Sequence, residues 1–294
     1  MRVGVVGASG FIGKNFCERA LGAGHTVVGY SRHRRSSESE SIQWRIFDEA
    51  PDMSELDAVV NFAGDSIAQR WSEEKKKKFY ESRVGVTELL HQQIAKLPID
   101  SRPKVLVNSS AVGYYGDCGD TSLDESSSMG GGYLATLCEQ WERAAYKLED
   151  LGLRVVVGRI GIILGPDGEA WGKMKTAFKL GAGGPLGDGS HWMPWMHVDD
   201  VAGGVLLALE NSEINGVMNL VSPDPRKNSD FTKALGKALK RPTFIPAPVF
   251  ALRIVFGEFG KHLVDSYRVY PKVLEKYGYQ FSYPSLEGCF LDLV

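Results

Sequence analysis

Cysteine is scarce in this chain of 294 residues, and no two cysteines have the spacing of a metal or redox motif. Structural zinc sites and disulfide-stapled small domains both need clustered cysteines. The sequence therefore predicts neither a metal site nor a disulfide framework, and reduced thiols favour a cytoplasmic protein. The scattered thiols are Cys17, Cys118, Cys138 and Cys289.

A strong excess of one charge and long apolar runs are also missing. The chain has 34 Lys and Arg against 36 Asp and Glu, whereas a general nucleic-acid binder carries a clear positive excess. No apolar run reaches the roughly 20 residues of a membrane-spanning helix. A strand pattern begins at the first residues and leaves no room for a cleavable signal. We expect a protein that contacts neither nucleic acid nor a membrane.

The most informative segment is a glycine-rich turn directly after the first apolar run. Arg2 to Val6 has the composition of a buried parallel strand. Gly7-Ala-Ser-Gly10-Phe-Ile-Gly13 follows, then a helical stretch to Leu21 and a second strand from Thr26 to Tyr30. Glycines permit a tight turn and a close approach of pyrophosphate, and a helix N-terminus offers free N–H groups. This order predicts a dinucleotide-binding site.

The residues after the second strand select the dinucleotide. An NAD site usually carries a carboxylate about twenty residues after the glycines. This chain instead has the basic run Ser31-Arg32-His33-Arg34-Arg35, which contains no carboxylate. Because arginine binds phosphate bidentately, we predict NADP(H), with Ser31 and Arg32 at the 2′-phosphate. The alternative is a solvated basic loop, which is our interpretation of Arg34 and Arg35.

Apolar strand patterns alternate with helical patterns along the chain. This alternation is typical of an α/β fold with a doubly wound parallel sheet, which binds ligands beyond the carboxyl ends of its strands. We expect residues 1–165, completed by 195–235, to form the NADP-binding domain, and 166–194 with 236–294 to form a small substrate-side subdomain. Further expected elements are strands at 41–47, 56–62, 104–108, 154–164 and 217–221, helices at 73–90, 133–148 and 201–209 (the last capped by Asp199 and Asp200), and an amphipathic piece at 174–180 within the glycine-rich segment 165–189.

Several motifs together resemble the extended short-chain dehydrogenase/reductase superfamily. They are the three glycines, Asn61-Phe-Ala-Gly64, Ser109-Ser110, Tyr133 and Trp195-x-His197-Val-Asp-Asp200. More narrowly, the chain is similar to the NAD-dependent epimerase/dehydratase-like group often labelled "epimerase family protein", which has its own C-terminal domain. The segments that carry this narrower resemblance are 110–116, 181–187, 194–200 and 241–248. The resemblance covers essentially the whole length and implies a Rossmann fold of the extended type.

The resemblance also implies which residues would react. In the superfamily a Ser or Thr binds the substrate oxygen, a Tyr is the general acid/base, and a Lys four residues later lowers the pKa of that Tyr. These roles fall on Ser110 and Tyr133, but Leu137 stands where the family has its lysine. Either Arg83 or Arg159 replaces that cation, or the tyrosine acts only as a proton donor, or catalysis has been lost.

We therefore rank first an NADP(H)-dependent oxidoreductase of an unidentified small carbonyl or alcohol, with Tyr133 as proton donor beside Ser110. A nucleotide-sugar epimerase or dehydratase is the second hypothesis, because an epimerase suffers more from the missing lysine. An NADPH-binding regulator without chemistry is the third. The sequence is compatible with a homodimer. The predicted cofactor contacts are Gly7, Ser9, Gly10, Phe11, Ile12, Gly13, Ser31, Arg32, Asp48 (at the adenine), Phe62, Ala63, Gly64, Arg83, Ser109, Arg159 and Ile160.

Overall fold

The computed structural model describes residues 1–33 and 41–294, so Arg34 and Arg35 of the basic run lie outside the described residues. Of the helices in these ranges, none has the length and apolar character needed to cross a bilayer. The strands are β1 (Arg2–Val6), β2 (Thr26–Ser31), β3 (Ile42–Ile46), β4 (Ala58–Asn61), β5 (Val105–Ala111), β6 (Ser122–Leu123), β7 (Arg154–Ile160), β8 (Ile162–Leu164), β9 (Trp192–Met193), β10 (Trp195–His197), β11 (Gly216–Leu220), β12 (Arg226–Lys227) and β13 (Arg268–Val269). The helices are α1 (Phe11–Gly22), α2 (Glu73–Tyr80), α3 (Val86–Ala95), α4 (Tyr133–Tyr146), α5 (Glu169–Lys179), α6 (Val198–Glu210), α7 (Asn228–Leu239), α8 (Val249–Phe256), α9 (Phe259–His262), α10 (Lys272–Lys276) and α11 (Leu286–Leu293).

Seven strands form one parallel sheet in the order β11-β7-β5-β4-β1-β2-β3. The chain moves outward in one direction from β1 to β3 and then returns to add β4 on the other side of β1. The point where the strand order reverses, between β1 and β4, is where a sheet of this kind opens a crevice for a ligand. This topology confirms the predicted doubly wound α/β fold.

Alternate side chains of the central strands face two apolar cores on opposite sides of the sheet. Val3, Val5 and Val60 are fully buried on the side covered by α1 and α6. Val59 and Leu106 are fully buried on the side covered by α3 and α4. Because both faces are covered, the strands read as nearly continuous apolar runs, and the carboxyl edge of the sheet is left to bind a ligand.

The sixth predicted strand, 154–164, is split in two. Its first part belongs to the main sheet, and its second part pairs with a different strand. The sheet strand β7 ends at Ile160, and Gly161 passes so close to the backbone that a Cβ there would lie 2.6 Å from the carbonyl oxygen of Pro194. The next residues, β8, pair with β10 outside the main sheet. Within the glycine-rich segment, helix α5 begins at Glu169, earlier than the predicted amphipathic piece.

The predicted caps of helix α6 are wrong. His197 is the N-cap, and its Nδ1 accepts a hydrogen bond from the backbone N–H of Asp199 at 3.2 Å. Asp200 is fully buried and accepts hydrogen bonds from the backbone N–H groups of Ser282 and Tyr283 at 2.8 and 2.9 Å. This carboxylate therefore attaches the C-terminal segment to the helix that covers the sheet.

We expect Gly13→Ala to lower the free energy of unfolding by about 1–3 kcal/mol or more, because overpacking at a rigid contact is costly. The added Cβ would lie 2.1 Å from the carbonyl oxygen of Gly7, where backbone meets backbone. Gly22→Ala, in the same helix, is the control: its Cβ meets nothing within 4 Å, and it should stabilise the protein by about 0.4–1 kcal/mol. Urea denaturation measures the stability of both variants, and equal stabilities would contradict the close approach of α1 to the glycine turn.

Candidate functional site

A cavity of about 230 Å³ opens at the carboxyl ends of β1 and β2. It brings the glycine turn, the end of β2 and the segment after β4 around one space, as the sequence predicts. Its lining also contains residues that the sequence analysis did not identify, among them Tyr30 and Phe47. The lining residues are Val6, Gly7, Ser9, Gly10, Tyr30, Ser31, Arg32, Phe47, Phe62, Ala63, Gly64, Asp65, Ser82 and Val86.

The glycine turn has the shape that a pyrophosphate requires. Gly7 adopts φ +79°, and a Cβ there would lie 3.0 Å from the backbone carbon of Phe62. Gly10 is the N-cap of α1, and no side chain of the described residues caps its first turn. Free N–H groups at the positive end of a helix bind anions. The turn therefore offers an anion site made of backbone.

Ser31 and Arg32 occupy the far end of this cavity. Ser31 ends β2 and is largely buried, whereas Arg32 is exposed and lines the cavity. This arrangement fits a phosphate bound by a hydroxyl and a guanidinium. Asp48 lines neither this cavity nor the chamber beside it, and its Oδ1 accepts a hydrogen bond from the backbone N–H of Ala50 at 3.0 Å.

A second, larger cavity of about 420 Å³ continues from the first, with which it shares Phe62, Ala63 and Gly64. We call it the chamber. Its walls are mostly apolar with a few polar side chains, which is the composition of a small-molecule site. The lining residues are Ile12, Phe62, Ala63, Gly64, Ile67, Arg83, Ser109, Ser110, Ala111, Val112, Gly113, Leu134, Leu137, Cys138, Trp141, Ile160, Gly161, Ile162, Leu186, His191, Trp192, Met193, Pro194, Phe259, His262, Leu263, Asp265 and Tyr267.

The two cavities together collect most of the predicted cofactor contacts. Besides the residues named above, Ile12, Arg83, Ser109 and Ile160 line the chamber. Two of the predicted contacts have close packing contacts. Gly13 lets α1 approach the backbone of Gly7 and Ala8, and a Cβ on Gly165 would lie 2.6 Å from the ring of Phe11. Among the described candidates, those that line neither cavity are Phe11, Gly13, Asp48, Tyr133 and Arg159.

Helix α4 presents an apolar face to the chamber. Leu134, Leu137, Cys138 and Trp141 line it, at the i, i+3, i+4 and i+7 positions of one helix face. Leu134 and Cys138, which both line the chamber, are four residues apart. This is the spacing of the tyrosine and lysine in the superfamily. Burial raises the pKa of the Cys138 thiol to about 11, so the thiol is protonated at neutral pH. This helix face offers the chamber no charged acid or base.

Tyr133 points away from the chamber. Its hydroxyl donates a hydrogen bond to the backbone carbonyl oxygen of Lys76 at 3.2 Å, and its ring packs against Trp71 with centroids 5.2 Å apart. Burial raises the pKa of the phenol, although Lys76 and Arg83 act in the opposite direction. The structure therefore does not bring the hydroxyl groups of Tyr133 and Ser110 together.

Ser110 belongs to a buried ionic network that the sequence analysis missed. Its hydroxyl donates to Glu142 Oε1 at 2.6 Å. Arg159 donates from Nε to the same oxygen at 2.9 Å and from Nη2 to Oε2 at 2.8 Å. Burial disfavours the Arg159 charge, but its hydrogen bonds to Glu142 outweigh that effect and raise its pKa. In the sequence, the sign of this network is Glu142, a carboxylate eight residues after Leu134 on the apolar face of α4.

Arg83, unlike Arg159, lines the chamber. Its Nη2 donates to the carbonyl oxygen of Asp65 at 2.9 Å, and its guanidinium lies 5.3 Å from the ring centroid of Trp141. A Cβ on Gly64 would lie 3.1 Å from the guanidinium carbon, so this glycine lets the two segments meet. Of the two arginines considered as substitutes for the missing lysine, Arg83 is the one placed at the cleft.

The chamber wall opposite α4 carries polar groups that the sequence analysis did not identify. His191 is 6% exposed, and its Nε2 is buried without a hydrogen-bond partner among the described residues. Asp265 accepts hydrogen bonds from His262 Nδ1 at 2.6 Å and from the Tyr267 hydroxyl at 3.3 Å. No local pattern signals this group, because its parts are joined only by the tertiary fold.

Two family models match the chain. The model described as the NAD dependent epimerase/dehydratase family matches residues 3–220. A model described as a domain of unknown function, DUF1731, matches residues 247–293. The second match includes residues 262–267, some of which line the chamber, and the helices that follow them.

Relatives and solved structures agree with these matches. Epimerase family protein SDR39U1 of Homo sapiens is 37% identical, with all of both chains covered. The chloroplastic SDR39U1 homolog of Arabidopsis thaliana is 36% identical over 96% of this chain and 84% of its own length. A crystal structure of human SDR39U1 with NADPH has a TM-score of 0.92 at 35% identity, covering 100% of this chain and 99% of that one.

We expect Glu142→Gln to lower the free energy of unfolding by about 3 kcal/mol or more, because a buried charge that loses its partner is strongly destabilising. Arg159 and Glu142 are 4% and 6% exposed. Glu139→Gln is the matched control on the same helix, since Glu139 pairs with Arg143, whose side chain is 70% exposed; its cost should stay below about 1 kcal/mol. Denaturant titration compares them, and similar losses would show that the buried pair is not special.

Proposed function

Since the chain belongs to the NAD dependent epimerase/dehydratase family, we propose that it is an NADP(H)-dependent oxidoreductase of a small carbonyl or alcohol compound. One observation carries the proposal. The glycine turn, the Ser31-Arg32 pair and the apolar chamber line one continuous cleft at the carboxyl edge of the sheet. The dinucleotide would occupy the first cavity and reach the chamber past Phe62 to Gly64.

The residues of the cleft fit NADP(H). The backbone at Gly7 and Gly10 and the start of α1 would hold the pyrophosphate, and the missing side chain at Gly7 lets the turn lie against the backbone of Phe62. Ser31 and Arg32 would hold the 2′-phosphate. The human relative solved with NADPH supports this choice of dinucleotide. When bound, the nicotinamide would supply or accept hydride in the chamber.

The chamber favours a small and mostly apolar substrate. Of its described lining residues, Arg83 is the one with a permanent positive charge, and it is already engaged with the carbonyl oxygen of Asp65. A nucleotide sugar carries a diphosphate, which is usually bound by several donors or cations. The chamber therefore supports a small carbonyl or alcohol better than a nucleotide sugar, and epimerisation ranks behind oxidoreduction.

Tyr133 as proton donor stays a prediction. Its hydroxyl would have to leave the carbonyl oxygen of Lys76 and turn toward Ser110 before it could reach a substrate. The apolar face that α4 presents at Leu134 and Cys138 is the observation that favours the second candidate function, an NADPH-binding regulator without chemistry. The experiment below separates the two functions.

Incubation with NADPH deuterated at nicotinamide C4 and a small aromatic aldehyde, 4-nitrobenzaldehyde, tests the reaction class. We expect deuterium in the carbinol carbon of 4-nitrobenzyl alcohol, because hydride transfer forms that C–H bond. Mass spectrometry of the alcohol makes the measurement, with heat-denatured protein as the control. NADPH binding without labelled alcohol would favour the regulator. In a separate incubation with NADP⁺, interconversion of UDP-glucose and UDP-galactose without net reduction of the cofactor would favour the epimerase.

Arg32→Ala should weaken NADPH binding about 10- to 100-fold, equivalent to about 1.4–2.7 kcal/mol, because a charge-assisted contact with the 2′-phosphate is lost. Binding of NADH, which lacks that phosphate, should change little. Fluorescence titration of both dinucleotides makes the comparison. Lys96→Ala removes the same charge from the exposed end of α3 and serves as the control. Equal losses for NADPH and NADH would contradict the assignment.

A further inference from the structure

The polar wall of the chamber is formed by His191, His262, Asp265 and Tyr267, and two segments of the chain are joined to build it. Trp192, next to His191, donates its backbone N–H to Ser266 Oγ at 3.0 Å. Its carbonyl oxygen in turn accepts the N–H of Tyr267 at 3.1 Å. The two segments therefore hold their side chains in one fixed arrangement, which is what a binding site requires.

His191 is a buried polar residue of this wall. Its ring is more than nine-tenths buried, lines the chamber, and leaves Nε2 without a hydrogen-bond partner among residues 1–33 and 41–294. Burial lowers the pKa of His191, so the ring is neutral at neutral pH and carries one donor and one acceptor nitrogen. Because Nε2 itself has almost no accessible surface, a ligand in the chamber would contact other atoms of this residue.

His262 and Asp265 form the carboxylate–imidazole pair that general acid–base chemistry uses. At 2.6 Å, Nδ1–H of His262 donates a hydrogen bond to Asp265, which leaves Nε2 as the nitrogen that can exchange a proton. Tyr267 donates to the same carboxylate oxygen, and Trp71 stacks on the imidazole with ring centroids 5.2 Å apart. Asp265 and Trp71 together therefore hold the ring of His262 at the chamber.

We propose that the substrate oxygen lies against this wall and that His262, oriented by Asp265, is the catalytic residue that exchanges a proton with it. The proposal rests on the proposed oxidoreductase function and deepens it. It assigns acid–base chemistry to the C-terminal segment rather than to α4, whose chamber face carries Leu134 and Cys138.

The proposed step balances in the reducing direction. The carbonyl carbon accepts hydride from the dihydronicotinamide of NADPH, and the π electrons of the C=O bond move to the oxygen. That oxygen takes the Nε2 proton of protonated His262, which becomes a neutral imidazole with its Nδ1–H still on Asp265. Water then returns a proton to Nε2. Oxidation of the alcohol by NADP⁺ is the reverse.

Steady-state reduction of 4-nitrobenzaldehyde by NADPH tests the role of His262. We expect His262→Asn to lower kcat by about 100-fold or more, the usual contribution of a general acid, while NADPH affinity from fluorescence titration is unchanged. Asp265 is a positioning residue, so Asp265→Asn should lower kcat with KM nearly unchanged, and the double variant should lose little more than His262→Asn. His91→Asn, on helix α3 away from the chamber, is the control.

Three outcomes of the kinetics decide between the donors. Loss of turnover in His262→Asn alone supports the inference. Loss in Tyr133→Phe with full turnover in His262→Asn assigns the proton to Tyr133 and overturns it. Full turnover in both variants also overturns it, while leaving the oxidoreductase function in place.

Nuclear magnetic resonance of the NADP⁺ complex labelled with ¹⁵N-histidine tests the wall without turnover. Addition of 4-nitrobenzaldehyde should shift the ring nitrogens of His191 and His262 but not those of His91. If the wild type reduces no aldehyde, the proposed function fails for this probe and the proton-transfer step fails with it. The shifts would still support the binding wall in that case. Unshifted signals at saturating aldehyde would overturn the wall itself.

Discussion

The buried ion pair between Arg159 and Glu142 is the interaction on which the arrangement of the chamber depends. It joins β7 to α4, and Ser110, in β5, donates its hydroxyl proton to the same carboxylate. Each charge would be costly to leave unpaired in this apolar surrounding, so the pair holds the three elements in one register. Because Ser110 donates its hydroxyl proton to Glu142, its oxygen offers a ligand only acceptor lone pairs. In this arrangement Ser110 is not the acid that protonates a substrate oxygen.

The two halves of the cleft are built by different means. The dinucleotide half is made mostly of backbone from one short segment, in which Gly7 and Gly10 bend the chain and α1 begins. The chamber half is made of side chains from α4, the glycine-rich segment and the C-terminal segment, which meet only after folding. A backbone anion site tolerates little change, whereas side chains around a chamber can be exchanged freely. Proteins of this architecture can therefore keep one cofactor while they differ in substrate.

Helix α4 shows why the site could be predicted only in part. Neighbouring residues on an α-helix point about 100° apart, so a one-residue difference decides whether a side chain faces the chamber or the neighbouring helix. Tyr133 contacts Lys76 and Trp71, whereas Leu134 lines the chamber. The sequence pattern identified the helix and the absence of a lysine four residues after Tyr133. It did not give the rotation of the helix about its axis, which is set by packing against β5 and by the buried Glu142.

The sequence by itself determined the features that depend on neighbouring residues. These are the strand, glycine turn and helix at the start of the chain, the basic end of β2, and the alternation that leads to a parallel sheet with helices on both faces. Such features follow from local backbone geometry and from the period of apolar side chains. The tertiary structure alone decided that Asp200 binds the C-terminal segment, that the chain leaves the sheet at Gly161, and that His191 meets His262 and Asp265 in one wall. Those contacts join segments far apart in the chain, and their geometry arises only when the sheet, its covering helices and the C-terminal segment pack together.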